Sequence, residues 1–306
     1  MDRREFLKKA AVTTAAAAVS VKFPAVPLMA AEDLAAGRKP DLVAVRNGDS
    51  VAMFRKGIEA LGGMKAFVKP GQTVVVKPNA AWDRTPEEAA NTNPELVAEI
   101  VRQALAAGAS RVEAFDHTCN EWSGCYKNSG IEEAVKKAGG VMLPAHLEEH
   151  YLEREAPGAV RMKKAKIHKA ILTADVFINV PILKNHGGAK MTAAMKNFMG
   201  LVWDRQDMHR NNLPQSIADA PLYRKPDLNV VDAYRIMVTN GPRGVSTADV
   251  RMPKYMLLST DIVATDAMAT RLLGYSPDDV PYIALAERNG LGTADASKLN
   301  IARLDA

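Results

Sequence analysis

Thr73-Val74-Val75-Val76-Lys77-Pro78-Asn79, then Asn93-Pro94-Glu95-Leu96-Val97-Ala98-Glu99-Ile100-Val101, then Arg111-Val112-Glu113-Ala114-Phe115-Asp116-His117, is the stretch on which the fold turns. The β-branched run follows a Pro70-Gly71 turn and reads as a buried strand. Asn93 suits an N-cap, Pro94 the first helical position and Gly108 the residue past the end, which predicts a helix over 94–107. A further strand is predicted over 111–115. Strand, helix and strand in that order make a right-handed crossover between parallel neighbours.

The same alternation runs outward on both sides. Strands are expected at 42–46, 141–143, 176–180, 228–231 and 255–259. Helices are expected at 51–61, stopping at Gly62-Gly63, and at 131–138, 192–202, 262–273 and 281–288. The expected class is α/β, with a mostly parallel central sheet, helices on both faces and a single domain over 41–306. In such sheets the chemistry gathers in loops beyond the carboxyl ends of the strands.

The chain has 306 residues, 47% hydrophobic and 25% charged, an ordinary globular composition. It carries a net charge of +5, but residues 1–31 hold five basic side chains against two acidic. The rest has 35 basic and 33 acidic residues, so nothing in the charge favours nucleic acid as a partner. Arg3-Arg4-Glu5-Phe6-Leu7-Lys8 followed by the mildly apolar Ala10 to Val21 has the form of a twin-arginine signal peptide, 1–31, with small residues at Ala30 and Ala31 for cleavage. The expected destination is the periplasm or another extracytoplasmic space, with the twin-arginine translocase as transient partner. Residues 32–40 read as a linker. No apolar run of the mature chain is long enough for a membrane span. Two cysteines exclude an iron–sulfur cluster held by four cysteines of this chain alone.

Four polar clusters fall at the expected strand ends. The first is Lys77 with Asn79. The second is Asp116-His117-Thr118-Cys119-Asn120 with Cys125. In an oxidising compartment Cys119 and Cys125 are candidates for a disulfide; the competing assignment is as metal ligands. The third runs from Asn179 through Lys184, His186, Lys190 and Thr192 to Lys196-Asn197 and Gly200. It reads as a glycine-rich loop opening a helix, a setting that favours an anion. The fourth is acidic: Asp232 at a strand end, Asp261 as a helix N-cap, and Asp266 inside an apolar helix, where a carboxylate needs a partner such as Lys196 or Lys184. His146-Leu147-Glu148-Glu149-His150 matches an inverted zincin pattern, but follows Pro144 and reads as a surface segment.

Several of these stretches together resemble domain-of-unknown-function family 362. The carrying segments are Val76-Lys77-Pro78-Asn79, Ile178-Asn179-Val180-Pro181 with Leu183-Lys184 and His186, Ala194-Met195-Lys196-Asn197 with Met199-Gly200, Asn240-Gly241-Pro242, and Ser259 to Gly274. Many relatives carry an added ferredoxin-like module, which this sequence lacks. A second similarity, to the amino-terminal half of lactate-racemase-like proteins, rests on Trp82-Asp83-Arg84-Thr85-Pro86 after a strand.

The expectation that follows is a cleft for a small anionic substrate or cofactor. Asp116, His117, His186 and Lys196 are the candidate catalytic residues. Lys77, Asn79, Lys184, Lys190, Asn197, Asp232 and Asp266 are the candidate ligand contacts, with a metal ion as an open cofactor. His117 or His186 is the candidate for proton transfer near neutral pH. The competing function is a periplasmic binding or accessory protein without turnover. An acid–base pair facing an open pocket separates the first from the second.

Overall fold

The computed structural model describes residues 39–306. The expected leader, residues 1–31, and most of the linker lie outside the described residues. In chain order the elements are β1 (Leu42–Arg46), α1 (Ser50–Ala60), β2 (Thr73–Pro78), α2 (Pro94–Ala106), β3 (Arg111–Ala114), α3 (Trp122–Asn128), α4 (Ile131–Lys137), β4 (Val141–Met142), β5 (Tyr151–Glu155), β6 (Lys164–His168) and α5 (Lys169–Thr173). Then come β7 (Val176–Val180), β8 (Ile182–His186), β9 (Lys190–Thr192), α6 (Arg205–Arg210), α7 (Leu213–Asp219), β10 (Leu228–Met237), β11 (Val250–Arg251), β12 (Tyr255–Ser259), α8 (Ile262–Leu272), α9 (Pro281–Arg288) and β13 (Ile301–Asp305).

The main sheet has the order β13-β1-β12-β10-β7-β2-β3-β4. β13–β1, β10–β7, β7–β2, β2–β3 and β3–β4 are parallel; β12 runs antiparallel to both of its neighbours. The expected α/β class with a mostly parallel sheet is therefore correct. Side-chain alternation sorts the strands onto two cores. On β2, Val74 and Val76 join Leu96, Ile100, Phe54 and Ile58 on one face, under α1 and α2. Val75 faces the other way, with Phe177, Val231 and Leu257, under Val263 of α8 and Ile283 of α9. Helices thus cover both faces, which is why β2 and β7 are almost wholly buried.

The α2 caps follow the sequence closely: the Asn93 side chain accepts from the amide of Glu95, and Pro94 opens the helix. The region after β7 does not. Where a loop and a helix over 192–202 were expected, β8 turns back through Gly187-Gly188-Ala189 into β9, with Lys184 opposite Thr192 and His186 opposite Lys190. Lys190 sits in the left-handed region, φ 65°. Only Lys196–Leu201 is helical, as a 3-10 segment. No α-helix N-terminus is present there to attract an anion. Among the described residues no helix is long and apolar enough to cross a membrane.

Candidate active site

β2, β3 and the β8–β9 hairpin deliver their polar residues to one cleft of about 300 Å³. Lys77 is the fifth residue of β2, on the same face as Val75, and is fully buried. Its Nζ pairs with Asp116 Oδ1 at 2.7 Å and donates to Asn197 Oδ1 at 2.8 Å and to the Pro78 carbonyl at 2.9 Å. The other Asp116 oxygen accepts from the Ala80 amide at 2.7 Å. Burial pulls the Lys77 ammonium below its usual range, opposed chiefly by Asp116. Gly200 closes over this pair, and its carbonyl accepts from the His117 amide at 3.1 Å.

Lys184, Lys196 and Arg205 also line the cleft, and among the described residues none of them pairs with a carboxylate. The Lys184 ammonium, fully buried, donates to Asn79 Oδ1 at 3.1 Å and to the Ala90 carbonyl at 2.7 Å. Burial, with Lys196 and Lys77 nearby, lowers it to about 7. Lys196 is 8% exposed, and its Nζ reaches only the Met199 thioether, at 3.3 Å. Burial, reinforced by Arg205, lowers it to about 8. Arg205 donates to the carbonyls of His117 and Thr118. The buried Thr192 Oγ1 on the same wall has no hydrogen-bond partner among the described residues.

The two candidate histidines differ in tautomer, assigned here from their partners. His186 Nδ1 faces the amides of Gly188 and Ala189, both at 3.0 Å, so it accepts, and the ring proton sits on Nε2. Burial beside Lys196, His209 and Lys184 lowers His186 to about 3, so at neutral pH it is a donor and not a base. His117 Nδ1 lies 3.0 Å from the Val202 carbonyl, to which it donates, leaving a lone pair on Nε2. Burial and Arg205 lower its pKa as well, which keeps it neutral. Of the expected pair, only His117 keeps the features of a base.

The cleft thus unites Asn79, Asp116, His117, Lys184, His186, Lys196 and Asn197, with Lys77 behind Asp116. It does not unite the rest. Lys190 is exposed on the hairpin turn. Asp232 caps local amides instead, accepting from Asn93 at 2.9 Å and Tyr234 at 3.1 Å, in a separate small cavity; burial raises it to about 6. Asp266 pairs with neither lysine. Its oxygens accept from the amides of Ala194 at 2.6 Å and Met195 at 3.1 Å, and burial raises it to about 7. It acts on the site by anchoring the backbone that carries Lys196. Asp261 caps α8 as expected, and also accepts from the Thr293 amide at 2.9 Å.

The cysteines are both free. Cys125 is turned into the core on α3, its thiol donating to the Ala81 carbonyl at 3.5 Å, whereas Cys119 is exposed on the loop and lines the cleft. The expected bond is therefore absent from the structure. Among the described residues no group of three or more His, Cys, Asp or Glu side chains is placed to hold a metal ion. His146 stacks on Trp122 at 4.4 Å and meets the His150 ring edge-on at 5.8 Å. Arg205, Thr192 and His209 belong to the cleft but carried no sequence signal beyond their polarity; Thr192 alone stood inside a quoted motif.

The sequence model of the family described as "Domain of unknown function (DUF362)" matches residues 74–271, a span that contains every residue of the cleft. A thylakoid-associated protein of Synechocystis sp. is 28% identical over 257 residues, covering 81% of this chain and 78% of that one. Among solved structures, the lactate racemase apoprotein of Thermoanaerobacterium thermosaccharolyticum aligns with a TM-score of 0.46 and 13% identity, over 71% of this chain and 54% of the other. A Thermotoga maritima protein aligns with a TM-score of 0.46 and 13% identity, over 74% and 60%. The chain therefore spans a little over half the length of those two solved chains.

Proposed function

We propose a function on the premise that the chain belongs to the domain-of-unknown-function family DUF362: an exported enzyme that binds a small anionic substrate in the Lys184–Lys196 cleft and exchanges a proton with it. One observation carries the reading. The Lys196 ammonium is more than nine-tenths buried and, among the described residues, has no partner better than a thioether, while Lys184 beside it has no carboxylate there. Buried charges are paired or they neutralise. A bound anion supplies the missing partner, and Thr192 Oγ1 and His186 Nε2 add neutral donors on the same wall.

The proton chemistry follows from the same burial. Ammonium groups at about 7 and about 8 give up and regain protons near neutral pH, as ordinary lysines do not. His117 supplies the complementary base through Nε2, its ring fixed by the Val202 carbonyl. Asp116 is held by Lys77 and the Ala80 amide, so its role is to position the loop that carries His117. A binding protein without turnover needs donors alone; a neutral imidazole beside two near-neutral lysines favours the enzyme. The lactate-racemase likeness, at its low TM-score, adds nothing to this assignment.

Sulfate is a suitable probe, because its charge is constant across neutral pH. Lys196→Met should lower sulfate affinity, read by calorimetry, by about 10- to 100-fold, the value of a hydrogen bond to a charged group. Unchanged affinity with the fold intact rejects the anion site.

Export is the second part of the proposal, supported by Arg3-Arg4 ahead of a weakly apolar stretch. Changing both arginines to lysine should leave precursor in the cytoplasm in a fractionation assay. Normal export of that variant rejects twin-arginine transport.

A further inference from the structure

A second cavity of about 650 Å³ adjoins the anion cleft, and the two share His117 and Arg205 in their walls. Its volume lies in the range of small-molecule sites. One wall is the β5–β6 hairpin. The other is the segment entering α6, tied to the hairpin by the Trp203 amide, which donates to the Lys166 carbonyl at 3.0 Å.

The two chambers differ in charge. In the larger one three cations are matched by acids: Lys164 pairs with Glu153 at 2.7 Å, Lys166 with Glu148, and Arg161 with Asp207, while the shared Arg205 binds backbone carbonyls and the lining holds equal numbers of acidic and basic side chains. In the smaller one Lys184 and Lys196 are unmatched. The larger chamber also holds Trp203, partly exposed, whose ring lies parallel to His117 with centroids 5.2 Å apart and 2° between planes. Tyr151 leans on both rings, 5.7 Å from His117 and 5.3 Å from Trp203. An indole fixed this way is a platform for another flat ring.

We propose that the larger chamber is a ligand subsite for a planar heteroaromatic ring, stacked on Trp203, whose phosphate reaches past His117 and Arg205 into the lysine cleft. A charge-balanced chamber with an indole in its wall suits a neutral ring. The unmatched lysines next door suit its anionic group. His117, shared by both chambers, then stands at the junction of ring and anion. This inference rests on the anion cleft for its phosphate arm and on Trp203 alone for its ring arm.

Three probes separate the two arms. Flavin mononucleotide carries ring and phosphate, riboflavin the ring, and sulfate the anion. Flavin mononucleotide should bind more tightly than either of the others, displace sulfate, and lose fluorescence on stacking. Trp203→Ala should weaken it by about tenfold, the worth of one stacked ring, and leave sulfate affinity unchanged. Trp203→Phe, which keeps a ring, should recover most of that loss. Flavin mononucleotide affinity indifferent to Trp203→Ala, or no flavin binding by a protein that binds sulfate, overturns the ring subsite and leaves the anion cleft standing. Trp203-dependent riboflavin binding by a protein that ignores sulfate supports the ring subsite and rejects the anion cleft.

Discussion

Alanine at position 200 should cost about 4 kcal/mol or more of stability, read from urea unfolding at neutral pH. A Cβ there would stand 1.8 Å from Asp116 Oδ1 and 2.7 Å from Lys77 Nζ. Neither neighbour is a free chain end. Both side chains are 1% exposed and bonded to each other at 2.7 Å, and Asp116 is also tied to the Ala80 amide. Relief of the overlap must break the pair or push the 3-10 segment away from β2. The second response moves Lys196 as well, so sulfate affinity should fall together with stability. A variant within about 1 kcal/mol of the parent would show that the close approach of Gly200 to the pair is wrong.

Lys77→Met is the second large effect, expected at about 3–5 kcal/mol at neutral pH. Methionine fills much of the lysine's volume, so the loss is electrostatic more than steric. It leaves Asp116 Oδ1 without its countercharge and Asn197 Oδ1 without its 2.8 Å donor, both in the interior. Asp116→Asn in the same background should recover part of the loss at neutral pH. A deficit independent of residue 116 would mean that the lysine stem, not its charge, holds the structure.

The parts of the molecule legible in sequence are those fixed by local rules. The run from Thr73 to Pro78, the Asn93-Pro94 cap and the stop at Gly108 depend on neighbours along the chain, and β2 and α2 form almost where they were expected. The segment from Ile182 to Leu201 misleads for a physical reason. Gly187-Gly188 before an apolar run fits a loop opening a helix as well as it fits a hairpin turn. Cross-strand pairing of Lys184 with Thr192 decided the matter, and pairing is not local. The contact of Gly200 with Lys77 and Asp116 then leaves only a short 3-10 turn.

The site shows the same division. Lysines at 77, 184 and 196 stood out at an expected strand end and in the glycine-rich segment, and all of them are buried. Asp266 stood out as a carboxylate inside an apolar helix, but its partners are backbone amides, which every residue carries and no sequence pattern marks. Asp232 is similar, accepting from the amides of Asn93 and Tyr234. The cysteines were paired on the expected compartment. The inward turn of Cys125 on α3 toward Ala81 could not be read from that.

The most direct measurement is a calorimetric titration with sulfate between about pH 6 and about pH 9.5, for the parent and for Lys196→Met. Anion binding favours the charged ammonium, so affinity must be greatest where both lysines are protonated. It should be high below about 7, where Lys184 begins to lose its proton, and fall steadily as pH passes about 8, where Lys196 follows. Lys196→Met should start weaker and show only the lower step. Sulfate affinity that is flat across this range, or equal in the two proteins, would contradict an anion site built on these buried lysines.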